Sequence, residues 1–189
     1  MELFQLQTQM KRILYTALAA LSLAAPPLKA ASDFLLELDG IKGESRDTAV
    51  QGAIEISSFS WGASNPVTLS AGGGAGTGKV SFQDLHFTSK GVSKASPVLF
   101  LKCCNGTHIP KAVLHVRKAG TSETYIKITL TDILVSSYQH KDSGNTAAPA
   151  QSESFSLNFT KIEFSYKEAG GAVTSANWDL KTNTGGVTQ

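Results

Sequence analysis

The residues able to do chemistry are few and scattered. Four histidines, His86, His108, His115 and His140, fall in separate segments, and none belongs to an HExxH or other close ligand pair. The two cysteines are adjacent, Cys103-Cys104, so they form neither a CxxC knuckle nor an unstrained bridge. Gly73 and Gly78-Lys79 have the spacing of a GxxxxGK phosphate loop, but Val80 stands where Ser or Thr must hold Mg²⁺. The stretch from Lys79 to Phe87 alternates like a strand, which leaves no helix N-terminus for phosphates. Serines and aspartates are plentiful without a GxSxG elbow. These patterns predict no catalytic residue, no cofactor and no metal site. Asn105-Gly106-Thr107 and Asn158-Phe159-Thr160 match the glycosylation sequon, the second inside a predicted strand.

The elements that position these residues are mostly strands. Apolar side chains alternate at Phe34/Leu36/Leu38, Ile54/Ile56, Val80/Phe82, Leu114/Val116, Ile126/Ile128/Leu130 and Phe155/Leu157/Phe159. Turn-rich breaks at Asp39-Gly40, Lys118-Ala119-Gly120 and Asp142 to Asn145 separate them. In four segments the apolar parity then slips by one residue, to Phe59/Trp61, Leu85/Phe87, Ile133/Val135 and Ile162/Phe164/Tyr166. Side chains alternate faces with period two, so each slip needs an inserted residue and a bend. The slips fall at Ser57-Ser58, Gln83-Asp84, Thr131-Asp132 and Thr160-Lys161. They predict an all-β fold, a compact two-sheet barrel of strongly bent antiparallel strands.

One short helix flanks the barrel. Ser96-Pro97 reads as N-cap and first position, Val98 to Cys104 as its apolar body, and Asn105-Gly106 as its stop. Such a helix predicts buried thiols, with intermolecular bridging or thiol chemistry as the alternative. Asn65 to Lys79 is glycine-rich and reads as a projecting loop that orders against a partner. Residues 142–152 read as a loose hairpin tip. The tail from Gly170 carries one anchor, Trp178, before fraying.

Charge separates the first 30 residues from the rest. Lys11, Arg12 and Lys29 face only Glu2 there, so of 17 basic and 15 acidic residues 14 of each remain. A neutral body argues against nucleic acid, whose phosphates call for clustered Lys and Arg. Met10-Lys11-Arg12, the 13-residue apolar run Ile13 to Ala25, Pro26-Pro27 and Leu28-Lys29-Ala30 have the layout of a secretory signal peptide. Cleavage is expected between Ala30 and Ala31, with Met10 as an alternative start. The apolar run is too short for a membrane-spanning helix. Residues 31–189 are expected to form one domain without a membrane span, secreted to the extracellular space via the periplasm.

The body of the chain resembles the haemolysin-coregulated protein (Hcp) family of type VI secretion. The stretches that carry the resemblance are Asp33 to Glu37, Gly40 to Ser45, Ser58-Phe59-Ser60-Trp61-Gly62, Gly76 to Val80 and Gln83 to Thr88. They continue with Arg117 to Gly120, Leu134 to Ser137, Ser156 to Phe159 and Asn177 to Leu180. In order, they span roughly residues 33–180. The resemblance implies a two-sheet barrel with one flanking helix, homo-hexameric rings stacked into a tube, and no enzyme activity. It implies that Ala71, Gly72, Gly73, Gly74, Ala75, Gly76, Thr77 and Gly78 contact a neighbouring subunit or ring. Type VI secretion components or effectors are the other partners it implies. The leader departs from the family pattern, because Hcp proteins assemble in the cytoplasm. Two roles therefore stand side by side: a tube subunit, or an exported Hcp-like binding or effector module acting outside the cell.

Overall fold

The computed structural model describes residues 32–69, 75–77, 79–142 and 151–189. The leader with its cleavage pair Ala30 and Ala31, the loop residues Ala71 to Gly74 and Gly78, and the hairpin tip 143–150 lie outside the described residues.

Six strands close on themselves. β1 (Ser32–Leu38) pairs with β2 (Ile54–Ser60) and β8 (Ile109–Lys118). β2 then pairs with β7 (Leu85–Ser89), β7 with β10 (Gln151–Lys167), and β8 with β9 (Thr124–Asp142). The β9–β10 ladder shuts the barrel, and every pairing is antiparallel. Its lumen is filled by side chains, Ile54, Ile56, Leu85, Phe87, Leu114, Ile128, Leu130, Ile133, Phe155 and Leu157 among them. The barrel of bent strands is the architecture that the alternation predicts, and among the described residues one helix accompanies it.

The bends are organised differently from isolated bulges. In β8 the buried face passes from Ile109 to Ala112/Leu114/Val116, in β9 from Ile128/Leu130 to Ile133/Val135, and in β10 from Phe155/Leu157/Phe159 to Ile162. Pairing nevertheless stays in step: Ile109↔Ile133↔Phe159 on one side of the bend, Lys111↔Thr131↔Lys161 on the other. The odd residues Pro110, Asp132 and Thr160 thus face one another along a crease that crosses three strands. Each strand inverts its buried face there without losing register with its neighbours. Asp132 adopts a left-handed φ of 54°. Its carboxylate is held by Lys181 Nζ at 2.8 Å and by His108 Nδ1, contacts that keep its pKa below the ordinary carboxylate value. One-sided irregularities lie elsewhere, at Ile56/Ser58 in β2, as the Ser57-Ser58 slip predicts, at Val116/Arg117 in β8 and at Ser156/Leu157 in β10.

Three expectations are corrected. Val80/Phe82 and Leu85/Phe87 do not share one bent strand. Gln83-Asp84 is a break, and β6 (Ser81–Phe82) pairs with β3 (Ala63–Ser64) outside the barrel sheet. The helix α1 (Ala95–Asn105) begins before Ser96. Pro97 is therefore its third residue, still among the first turn's N–H groups that need no helical acceptor. The Ser96 hydroxyl turns to the barrel instead, donating to Glu153 Oε2 at 2.6 Å. Gly106 ends the helix as expected, with φ 63° and its N–H on the Lys102 carbonyl. Finally, the tail does not fray after Trp178, because β11 (Val173–Asp179) and β12 (Thr184–Thr188) form a hairpin on the C-terminal half of β10.

A loop from Ile41 to Ala53 lies over β1 and is fastened by a buried guanidinium. Arg117, 2% exposed, meets Asp47 Oδ2 at 2.7 Å and Thr124 Oγ1 at 3.2 Å. Arg117 and the Ala49 and Val50 N–H groups hold the Asp47 carboxyl below its ordinary pKa. A depressed folded pKa stabilises above the unfolded value, and the benefit is lost as pH falls through the folded one. Asp47→Asn is therefore expected to lower the urea midpoint at pH 6 and to converge with wild type on acidification below about pH 4. Parallel curves across that range would contradict the assignment.

Candidate interaction surface

The described parts of the glycine-rich segment pair as a ribbon. From Trp61 the chain runs through β3 to β4 (Val67–Leu69), and it returns through β5 (Ala75–Thr77) and β6. The pairs Ala63↔Phe82 and Ser64↔Ser81 form its stem, and Val67↔Thr77, Thr68↔Gly76 and Leu69↔Ala75 its outer ladder. Gln83 N–H on the Gly62 carbonyl, 2.9 Å, closes the base. Three of the eight predicted contact residues, Ala75, Gly76 and Thr77, thus form β5; the other five lie outside the described residues. The Gly/Thr content masks this ladder, because the segment offers almost no apolar alternation to detect.

An apolar groove opens at the foot of the arm. It has a volume of about 310 Å³ and is lined by Trp61, Phe82, Phe164 and Trp178, with Val80 and Ala176. Its origin is topological. The N-terminal half of β10 pairs with β7 and the C-terminal half with β11, so a fork opens where β10 changes partner. The Trp61 and Phe164 rings lie 5.9 Å apart. Opposite Trp178 in the ladder stands Gly185, where a Cβ would collide with the Asn177 carbonyl and the indole. That missing side chain lets the indole lie across β12.

Helix α1 presents a second uncovered apolar surface. Ala95 and Leu99 enter the core, while Val98, Phe100 and Leu101 face outward, the last two 55% and 57% exposed. Phe100 packs edge-on over Tyr138 of β9, centroids 6.0 Å apart. Cys103 is half-buried but Cys104 is exposed, which corrects the expectation of two buried thiols. Helical spacing alone cannot reveal this, because a helix apolar all round gives no sign of which side meets the barrel.

The polar clusters hold strands together. Ser156 Oγ and His86 Nδ1 are 2.6 Å apart across the β7–β10 ladder, an encounter that the sequence does not announce. Ser156 is buried and also accepts from Ser137 Oγ at 2.7 Å. Asp84, which a triad would aim at the imidazole, is bonded to Ser136 Oγ and Asn158 Nδ2. The other histidines lie against separate carboxylates: His108 on Asp132, His115 on Glu37 at 2.9 Å and His140 3.6 Å from Glu153. Among the described residues no three His, Cys, Asp or Glu side chains converge as metal ligands. Asn105 is exposed and its Oδ1 accepts from Thr107 N–H and Oγ1, whereas Asn158 lies in β10 with its amide on Asp84.

Known proteins share this arrangement. Residues 35–166 match the family model described as "Type VI secretion system effector, Hcp". Protein hcp1 of Pseudomonas aeruginosa is 36% identical over 161 residues, which cover 81% of this chain and 98% of that protein. The crystal structure of Hcp1 from Salmonella typhimurium superposes with a TM-score of 0.71 at 35% identity, covering 82% of this chain and 99% of that one. A structure described as a type six secretion system protein gives a TM-score of 0.75 at 27% identity, with 82% and 100% covered.

Proposed function

The chain belongs to the Hcp family of type VI secretion proteins, and on that premise we propose that it is a tube protein of the type VI secretion system. It is a structural, self-assembling, secreted subunit, built as hexameric rings that stack into a hollow tube. The observation that carries this reading is the family match from β1 to Tyr166 of β10, the length of the barrel. A tube subunit works through its surface. The filled lumen, the strand-bracing polar clusters and two uncovered apolar surfaces suit that task.

In this reading Ala71 to Gly78 meet a neighbouring subunit or ring. Residues 1–30 are a leader cut between Ala30 and Ala31, and residues 31–189 act outside the cell as one domain, reached via the periplasm. Other type VI components or effectors are the further partners. Purified residues 31–189 are expected to give ring particles by negative-stain microscopy and a hexamer mass by light scattering. Protein recovered from culture medium is expected to begin at Ala31 by intact mass. A monomer at every concentration overturns the tube reading, and a secreted chain that keeps residues 1–30 overturns the leader.

A further inference from the structure

The geometry points to a specific contact between successive copies: the outer face of α1 on one copy seats in the aromatic groove of the next. This rests on the self-assembly just proposed and names the surfaces that carry it.

Two facts pair these surfaces. Phe164, Ala176 and Val187 stand directly opposite one another across β10, β11 and β12, so they share one face of the sheet. The groove therefore continues into an apolar strip ending at Val187, which is 66% exposed. Helix α1 offers what such a strip accepts: Val98 and Leu101 at i and i+3, Phe100 beside them, and Cys104 one turn on from Phe100. No acidic residue occupies its first turn. Val98, Phe100 and Leu101 make the outward side apolar, yet in a single copy only the side bearing Ala95, Ser96 and Leu99 is buried.

The helix does not reach the groove of its own chain. Phe100 rests on Tyr138, whereas Phe164 in the groove wall pairs with Ile128 of the same strand β9. Ten residues of strand, a contour of about 33 Å at roughly 3.3 Å per residue that bends at Asp132, separate these points, and no α1 residue lines the groove. On its own barrel α1 sits away from the groove, so a second copy is what brings the two surfaces together. A contact between different patches of identical subunits is heterologous, the kind that closes a ring or extends a filament.

Cys104 makes the contact testable. Cys103→Ser leaves a single thiol on α1, and Val187→Cys places its partner on the groove strip of the next copy. Under mild oxidation the double variant is expected to give covalent multimers on a non-reducing gel, whereas the two one-thiol chains, Cys103→Ser alone and Cys103→Ser/Cys104→Ser/Val187→Cys, stop at dimers or below. In parallel, Phe100→Glu is expected to lower the assembled fraction at fixed concentration by about tenfold or more, with the monomer's circular dichroism unchanged. Because Phe100 also touches Tyr138, Leu101→Glu provides a second probe away from that contact. Rings that form normally in both glutamate variants, or rings of the double variant without cross-links, overturn the contact and leave the tube reading standing. A wild-type chain that never leaves the monomer overturns both.

Discussion

Gly43→Ala is expected to cost about 2–3 kcal/mol of folding stability and to lower the thermal midpoint by roughly 4–12 °C. Gly43 lies where the Ile41–Ala53 loop turns back against the start of β2. Its N–H donates to the Gly52 carbonyl at 2.8 Å, and Ser45 N–H donates to the Ala53 carbonyl at 3.0 Å. A Cβ here would stand 2.5 Å from the Ala53 carbonyl oxygen and 2.8 Å from Ile54 Cα. Both obstacles are backbone, so no rotamer change relieves them. Relief requires moving the strand that places Ile54 and Ile56 in the core, or lifting the loop's Val50 and Ala53 off Leu35 of β1. Gly91 is the control, since a Cβ there meets nothing within 4 Å, and Gly91→Ala is expected within about 0.5 kcal/mol of wild type. Thermal denaturation of both variants decides the matter. A Gly43→Ala protein that melts with wild type would show that the loop does not press on β2.

The barrel is legible in the chain because its core obeys period two and its bends leave a trace. The parity slips at Thr131-Asp132 and Thr160-Lys161 are visible one strand at a time. That they align with Pro110-Lys111 into one crease is a property of pairing, and no single strand contains it. The β11–β12 hairpin is hidden for a different reason. Its paired stretches are SANWD and TGGVT, where Gly185, which makes room for Trp178, looks like a loop residue. The helix is misplaced at its start because Ser96-Pro97 imitates a cap, whereas the buried Glu153 claims the serine. The candidate surfaces were the least legible part. The groove arises from β10 changing partner between β7 and β11, and the outer face of α1 is defined only by what the barrel covers.

Glu153→Ala is the second large effect expected, a loss of about 3 kcal/mol together with loosening of α1 from the barrel. Glu153 is 2% exposed, and its two oxygens are shared between elements. Oε2 accepts from Ser96 of α1 at 2.6 Å and Oε1 from Tyr138 of β9 at 2.7 Å, with His140 Nδ1 3.6 Å away. Alanine leaves two hydroxyls without their acceptor and opens a space between helix and sheet. Burial, and next the bond to Glu153, push Tyr138 up to about 12. The sign is set by the raised value: the folded state keeps a proton that the unfolded state releases near 10. This contribution is therefore whole below pH 10 and is lost as pH rises through about 12. Glu153→Gln keeps the volume but removes the charge, so the Tyr138 titration, followed by phenolate absorbance against Tyr138→Phe, is expected to fall partway toward its ordinary value. Burial keeps the remainder, since it is the larger cause. A Tyr138 midpoint that does not move in Glu153→Gln would leave burial as its sole cause and deny Glu153 its electrostatic part. Hydrogen exchange in α1 that does not accelerate in Glu153→Ala would show that Ala95 and Leu99 hold the helix on their own.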